Sequence, residues 1–162
     1  MFAIVCVSEN WGIGKDGDLL QPIPSDLKFF RQTTTGNVLV IGRKTLESFP
    51  NQKPLPNRVN VVLTNNREYP AEGIVLCHDI EKLDEILTPY ADKEIFVAGG
   101  GTIYKQLLPQ CDTAYVTKIY HTYPADTVFP NLDADPEWEL AKKGEVQEEN
   151  GVRFSFDTYK RK

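Results

Sequence analysis

The sequence predicts an α/β fold: one domain over residues 1–162, with a central mixed, mostly parallel sheet of about eight strands, flanking helices and a C-terminal antiparallel hairpin. Three observations predict it. Short, continuous, β-branched runs recur along the chain, as in strands buried on both faces. Helix-like segments lie between them. Near the C-terminal end the pattern turns to alternation around Asn150-Gly151, a hairpin-turn dipeptide.

The first strand is Ala3–Val7. Ser25–Thr34 is a helix entered behind Pro22 and Pro24, because proline suits a first helical turn. The strand Val38–Ile41 is followed by a short helix near Lys44. Val59–Leu63 and Ile74–Leu76 are the next strands. Ile80–Leu87 is helical, with Ile80, Leu83, Ile86 and Leu87 on one face. The strand Ile95–Ala98 leads through three glycines into a helix, Thr102–Leu108, which stops at Pro109. Ala114–Ile119 is the last continuous run, and Glu139–Glu148 and Arg153–Lys160 form the antiparallel finish.

Composition narrows the function. Of 162 residues, 41% are hydrophobic and 25% charged, which is globular. Lys plus Arg is 18 against 23 Asp plus Glu, a net charge of −5, which argues against general nucleic-acid binding. Cys6, Cys77 and Cys111 are scattered, with neither a disulfide framework nor zinc spacing. Neither His78 nor His121 sits in a nucleophile motif. The run MFAIVCVS is too short and too soon followed by Glu9 and Asn10 for a signal peptide or membrane span. The expected setting is the reducing cytoplasm.

Five constellations remain, each with a bland alternative. In Ile95–Tyr104 a buried strand meets Gly99-Gly100-Gly101 and then a helix, which lets backbone approach a phosphate. The alternative is a tight turn, and the spacing is not GxGxxG. In Val38–Thr45 a second strand ends in Gly42, followed by Arg43, Lys44 and Thr45. An arginine there can grip a phosphate, or be merely solvated. Two strand–glycine–helix junctions point to a dinucleotide-sized ligand. Asp26 in the first helical turn is either a dipole partner or a lone carboxylate sharing an apolar face with Leu27 and Phe30. Such a carboxylate can make a forked pair with an amidine-like edge. Arg58, in the turn Pro54-Leu55-Pro56-Asn57-Arg58, is either a carboxylate clamp or a strand-end cation. The glycines of Asn10–Gly17 predict a mobile loop after the first strand, either a lid or a simple turn.

Taken together these residues are similar to the bacterial dihydrofolate reductases, essentially end to end. The motifs run in that family's order: Gly12-Ile13-Gly14, Ile23-Pro24-x-Asp26-Leu27-x-x-Phe30, Gly42-Arg43-x-Thr45-x-Glu47-Ser48, Pro54-Leu55-Pro56-x-Arg58, Gly99-Gly100-Gly101-x-Ile103-Tyr104 and Asp126-Thr127-x-Phe129-Pro130. The resemblance implies that fold, and hydride transfer from NADPH to dihydrofolate, giving tetrahydrofolate for one-carbon metabolism. It implies Asp26, Thr117 and Tyr104 as the catalytic group, Asp26 holding the pterin and supporting protonation at N5. Val5, Leu19, Leu27, Phe30, Phe49 and Leu55 would wall the substrate, and Arg58 would hold its glutamate α-carboxylate. Arg43, Thr64 and Asn65 would face the 2′-phosphate of the cofactor. Gly42, Lys44, Thr45, Gly99, Gly100, Gly101, Thr102 and Ile103 would carry the rest of its phosphates. Cys6, Ile13, Ala98 and Tyr104 would lie near its nicotinamide. The Gly99-Gly100 peptide is expected in cis. No metal is expected, and the partners are dihydrofolate and antifolate-type small molecules, with no nucleic acid or membrane, on a monomer.

The family's Leu-Pro-Trp before the Asp helix here reads Leu19-Leu20-Gln21, and Gln21 is expected to hydrogen-bond the water or substrate edge in place of the tryptophan. A related pterin or pyrimidine reductase would share the cofactor half without needing Asp26 or Arg58. A non-catalytic dinucleotide module would have little use for Asp26.

Overall fold

The computed structural model describes residues 1–162. Six strands lie parallel and build the main sheet: β1 (Phe2–Val7), β4 (Val38–Gly42), β5 (Val59–Leu63), β6 (Val75–Cys77), β7 (Ile95–Val97) and β8 (Thr113–Ile119). The other elements are β2 (Gly12–Lys15), β3 (Asp18–Leu19), α1 (Pro24–Thr34), α2 (Arg43–Glu47), α3 (Leu83–Leu87), α4 (Gly101–Leu107), β9 (Thr127–Val128), β10 (Trp138–Lys142), β11 (Gln147–Glu149) and β12 (Val152–Arg161). The order across the nine-stranded sheet is β10-β12-β8-β1-β7-β4-β5-β6, with β11 also paired to β12. Strand β12 runs antiparallel to β8, so the C-terminal part makes the sheet mixed. The six parallel strands and the antiparallel return of β12 agree with the sequence reading.

Alternation along each strand splits the core between two faces. Ala3, Val5, Val7, Val38, Val40, Val61 and Val97 point into one cluster, closed by Leu83 and Leu87 of α3 and by Tyr104 and Leu107 of α4. Ile4, Leu39, Ile41, Val62 and Phe96 point the opposite way, where Phe29 and Phe30 of α1 pack. Helices therefore cover both faces, which parallel strands require. The carboxyl ends of the six strands share one edge, the usual ligand edge of such a sheet.

Three expectations change. Residues 10–17 are not an open loop. Strands β2 and β3 form a hairpin that pairs with β9 as a separate three-stranded sheet, and the Asp16 N–H donates to Asp126 Oδ2 at 2.8 Å. Glu139–Glu148 is not one strand. The pairing with β12 slips between Leu140 and Lys142, and the chain leaves the ladder before returning as β11. Gly144 sits at that break. Its N–H donates to the buried Asp157 carboxylate at 3.0 Å, and a Cβ there would overlap the Phe156 carbonyl oxygen. The Ile80–Leu87 helix begins with a 3-10 turn at Ile80–Lys82, leaving α3 only five residues.

Gly144→Ala is expected to lower stability by about 2 kcal/mol, since the obstruction is backbone and cannot swing aside. A urea unfolding midpoint equal to the parent's would show that the break tolerates a side chain.

Candidate active site

Helix α1 starts at Pro24 behind the buried Ile23, whose carbonyl accepts from the Asp26 and Leu27 N–H groups. This places Asp26 in the first turn, over the ends of β1 and β8. The Thr117 hydroxyl of β8 donates to Asp26 Oδ1 at 2.6 Å. Cys6 of β1 is paired directly with Thr117, and it lines one small cavity with Asp26. Burial pushes the Asp26 carboxyl above the ordinary carboxylate range, against the pull of the Thr117 hydroxyl and the neighbouring Cys6 thiol. None of the chain's four ion pairs includes Asp26. Tyr104 is buried nearby, its hydroxyl donating to the Ile4 carbonyl at 2.7 Å, and burial raises its phenol so that it stays neutral.

Apolar side chains border α1. Phe30, Phe49 and Leu55 are half-buried against the α1-side core, while Leu27 is 48% and Leu19 54% exposed. Val5 alternates to the opposite cluster. At the far end of α1, Arg58 donates from Nε to the Pro56 carbonyl at 2.9 Å and from a terminal nitrogen to Thr34 Oγ1 at 3.1 Å. Burial and the neighbouring Arg31 lower its pKa. Both acceptors are neutral, so the positive charge keeps its demand for an anion. Asp26 and Thr34 are separated by about 12 Å of helix at 1.5 Å per residue. The site thus offers an acceptor, an apolar wall and a cation in line.

A second region lies at the ends of β4, β5 and β7. The Gly42 N–H donates to the Gly99 carbonyl at 2.9 Å, and the Gly99–Gly100 peptide is cis. A Cβ at Gly99 or Gly100 would stand 3.4 Å from Thr45 Oγ1, and one at Gly42 would press Ile103 at 3.1 Å. Ile13 of β2 reaches within 3.9 Å of the corresponding position at Gly101. Arg43 opens α2, half-exposed and 3.5 Å from Glu47. Lys44, Asn65 and Thr102 are exposed, and Ala98 is half-buried with its N–H on the Val40 carbonyl. Thr64 follows β5, its carbonyl 2.9 Å from His78 Nδ1. The three glycines, Arg43, Thr45 and Thr64 therefore meet along one edge.

Gln21 lines a small cavity with Asp26, Cys6 and Leu20, and its amide donates to the Pro22 carbonyl at 3.1 Å. Two supporting residues, and one neighbour of Asp26, were not legible in sequence. Buried Asn60 donates to the Leu55 and Arg58 carbonyls at 2.9 and 3.1 Å and accepts from the Leu55 N–H at 3.1 Å, so it shapes the turn that presents Arg58. Glu149 of β11 accepts from the Ser25 N–H at 3.0 Å and from its hydroxyl. Cys6 shares a cavity with Asp26, a neighbourhood that its sequence position does not announce.

The family model described as "Dihydrofolate reductase" matches residues 1–161. The chain is 35% identical over 161 residues to the dihydrofolate reductase of Bacillus subtilis (strain 168), covering 98% of this chain and 93% of that one. It is 38% identical over 170 residues to the dihydrofolate reductase of Drosophila melanogaster, covering 94% and 93%. It is also 37% identical to the bifunctional dihydrofolate reductase-thymidylate synthase of Glycine max, of which it spans 33%. A solved dihydrofolate reductase from Enterococcus faecalis, complexed with NADP(H) and RAB-propyl, superposes with a TM-score of 0.82 at 42% identity, over 99% of this chain and 95% of that one.

A raised carboxyl pKa in the folded state favours folding fully below the unfolded value of about 3.9, and that contribution is lost as pH rises through the folded value. Asp26→Asn is therefore expected to be more stable than the parent at pH 7 and about equal to it near pH 3. Urea midpoints of both proteins across that range check this, and a loss of stability at pH 7 would contradict it.

Proposed function

Because the chain belongs to the dihydrofolate reductase family, and so reduces dihydrofolate to tetrahydrofolate with NADPH, we propose that Asp26 is the acid that grips the pterin and supports protonation at N5, with residues 1–162 acting as one unit. One observation carries this reading: Asp26 is a partly buried carboxyl with no ion pair, at one end of a helix bordered by apolar side chains, and the other end of that helix receives Arg58, an arginine with no ion pair. A carboxylate there accepts two parallel bonds from the pterin's 2-amino group and adjacent ring N–H. Its raised proton affinity keeps a proton available nearer neutral pH than an exposed aspartate would. Thr117 spends its hydroxyl proton on Oδ1 and fixes the carboxyl's plane. Leu27, Phe30, Phe49 and Leu55 flank the aminobenzoyl part and exclude water, and Leu19 can close over it from the β2–β3 hairpin. Arg58 takes the α-carboxylate with the nitrogens that Thr34 and Pro56 leave free. Val5 supports the wall from the opposite core face. Antifolate-type molecules would enter the same site. The reading takes the protein as a monomer, and three free thiols suit a reducing cytoplasm.

The glycine edge fits NADPH, because any Cβ at Gly42, Gly99 or Gly100 would fill the space beside Thr45 and Ile103. Bound there, NADPH supplies the hydride. Gly99, Gly100, Gly101, Thr102 and Thr45 present N–H and hydroxyl donors to its pyrophosphate, with Gly42, Lys44 and Ile103 beside them. Arg43, Thr64 and Asn65 take the 2′-phosphate, for which Arg43 must exchange its long contact with Glu47. Ile13, Ala98 and Cys6 border the nicotinamide. Tyr104 serves this edge as a buried post, its hydroxyl committed to β1.

NADPH absorbance loss with dihydrofolate is expected for the parent and is expected to fall about 100-fold or more in Asp26→Asn at pH 7, with NADPH binding kept. Unchanged turnover would remove Asp26 from the chemistry. Arg43→Ala is expected to weaken NADPH about 10- to 100-fold and NADH far less, and equal losses would contradict recognition of the 2′-phosphate.

A further inference from the structure

We infer that Cys6 is a positioning residue for the acid: paired with Thr117 across the β1–β8 ladder, its thiol holds the Asp26 carboxyl from a second side and tunes the proton transfer that carboxyl supports. The inference rests on Asp26 as the acid. Cys6 and Thr117 are direct partners in the parallel register, so their side chains leave the sheet side by side. Both turn to the face that α1 covers, and Cys6 and Asp26 line one small cavity. The other two thiols donate to backbone carbonyls, Cys77 to Asp79 at 3.1 Å and Cys111 to Leu107 at 3.4 Å. Around Cys6 lie the apolar Ile23, Ile119 and Phe154, and the Asp26 carboxyl shares its cavity.

The electrostatics agree in both directions. Burial, and then Asp26, raise the Cys6 thiol well above its ordinary range, so it keeps its S–H proton at every working pH and remains a donor. In return that donation favours the charged carboxylate, opposing burial. The groups facing Asp26 are Thr117 from β8, Cys6 from β1, the neutral Tyr104 from α4 and the uncharged Gln21 before α1. Glu149 of β11 is engaged one residue away with Ser25, and Tyr123 faces Cys6 from the segment after β8. With no cation among them, one weak donor has leverage.

The test is the pH dependence of the hydride step, with NADPH and dihydrofolate, in the parent, Cys6→Ala, Cys6→Ser and Asp26→Asn. Carbon-13 NMR titration of the Asp26 carboxyl in the Cys6 variants accompanies it. Loss of the donor lets the carboxyl keep its proton to higher pH. Cys6→Ala is therefore expected to move both the falling limb of the rate and the NMR midpoint upward by about 0.3–0.5 pH unit. Cys6→Ser, with its stronger hydroxyl donor, is expected to return both to the parent value or below. A structural role alone would change KM or stability without moving these midpoints. Unmoved midpoints in Cys6→Ala, with activity collapsing in Asp26→Asn, would overturn this inference and leave the acid in place. An Asp26→Asn enzyme keeping the parent's rate and profile would overturn both.

Discussion

The hydrogen bond from Thr117 to Asp26 joins a helix to a sheet at the place where a charge is hardest to keep. A carboxyl in the first turn of α1 is ordinarily a solvated partner of the helix dipole. Here α1 lies across β1 and β8, so the carboxyl sits over strand ends and loses water. Its substitutes are two side chains that themselves stand as a register pair. If α1 rotated, both donors would be lost and the charge would face apolar strand ends. The same placement lays the apolar side chains that border α1 between its two ends, and Thr34 at its other end receives Arg58. One orientation of one helix therefore sets the head, wall and tail of the proposed ligand site.

The cofactor edge is tied to this frame through the opposite core face. Trp11, Phe129 and Tyr104 pack as a series, with ring centroids 6.2 Å apart for Trp11–Phe129 and 5.0 Å for Tyr104–Phe129. The Phe129 N–H donates to the Trp11 carbonyl at 2.8 Å. Tyr104 belongs to α4 and Trp11 precedes β2, so this aromatic series links the glycine turn to the small sheet. Asp126, three residues before Phe129, pins the tip of the β2–β3 hairpin. The Asp126-Thr127-x-Phe129 motif is thus a structural tie between the hairpin beside the proposed substrate site and the helix beside the cofactor edge.

Much of this was legible in the sequence, and what was missed has a common cause. The parallel strands announce themselves because burial on both faces demands unbroken apolar runs. Arg43 and Arg58 stand out because each is a polar side chain at the boundary of such a run, and Asp26 because it shares a helix face with Leu27 and Phe30. The β2–β3 hairpin was hidden because its glycines weaken any strand pattern, and its third strand lies more than a hundred residues away. The break at Gly144 was hidden because alternation continues in sequence on either side of it. Asn60, Glu149 and the Cys6–Asp26 contact depend on tertiary partners that no local pattern records. Gln21 shares the acid's cavity as its sequence position suggested, yet its amide is turned to the Pro22 carbonyl.

The anchors of α1 also carry a temporal meaning. The helix is only the second major element of the chain, but its first turn is held by Thr117 and Glu149, which lie 91 and 124 residues beyond their partners Asp26 and Ser25. On a ribosome working from the N-terminus, α1 is complete long before either anchor exists. Contacts of such separation close late and slow the search for the native state. The acid helix is therefore oriented by the last third of the polypeptide. Nascent chains stalled short of β11 would carry Asp26 without the support that makes its environment, so that environment arrives with the C-terminal hairpin rather than accumulating as the chain grows.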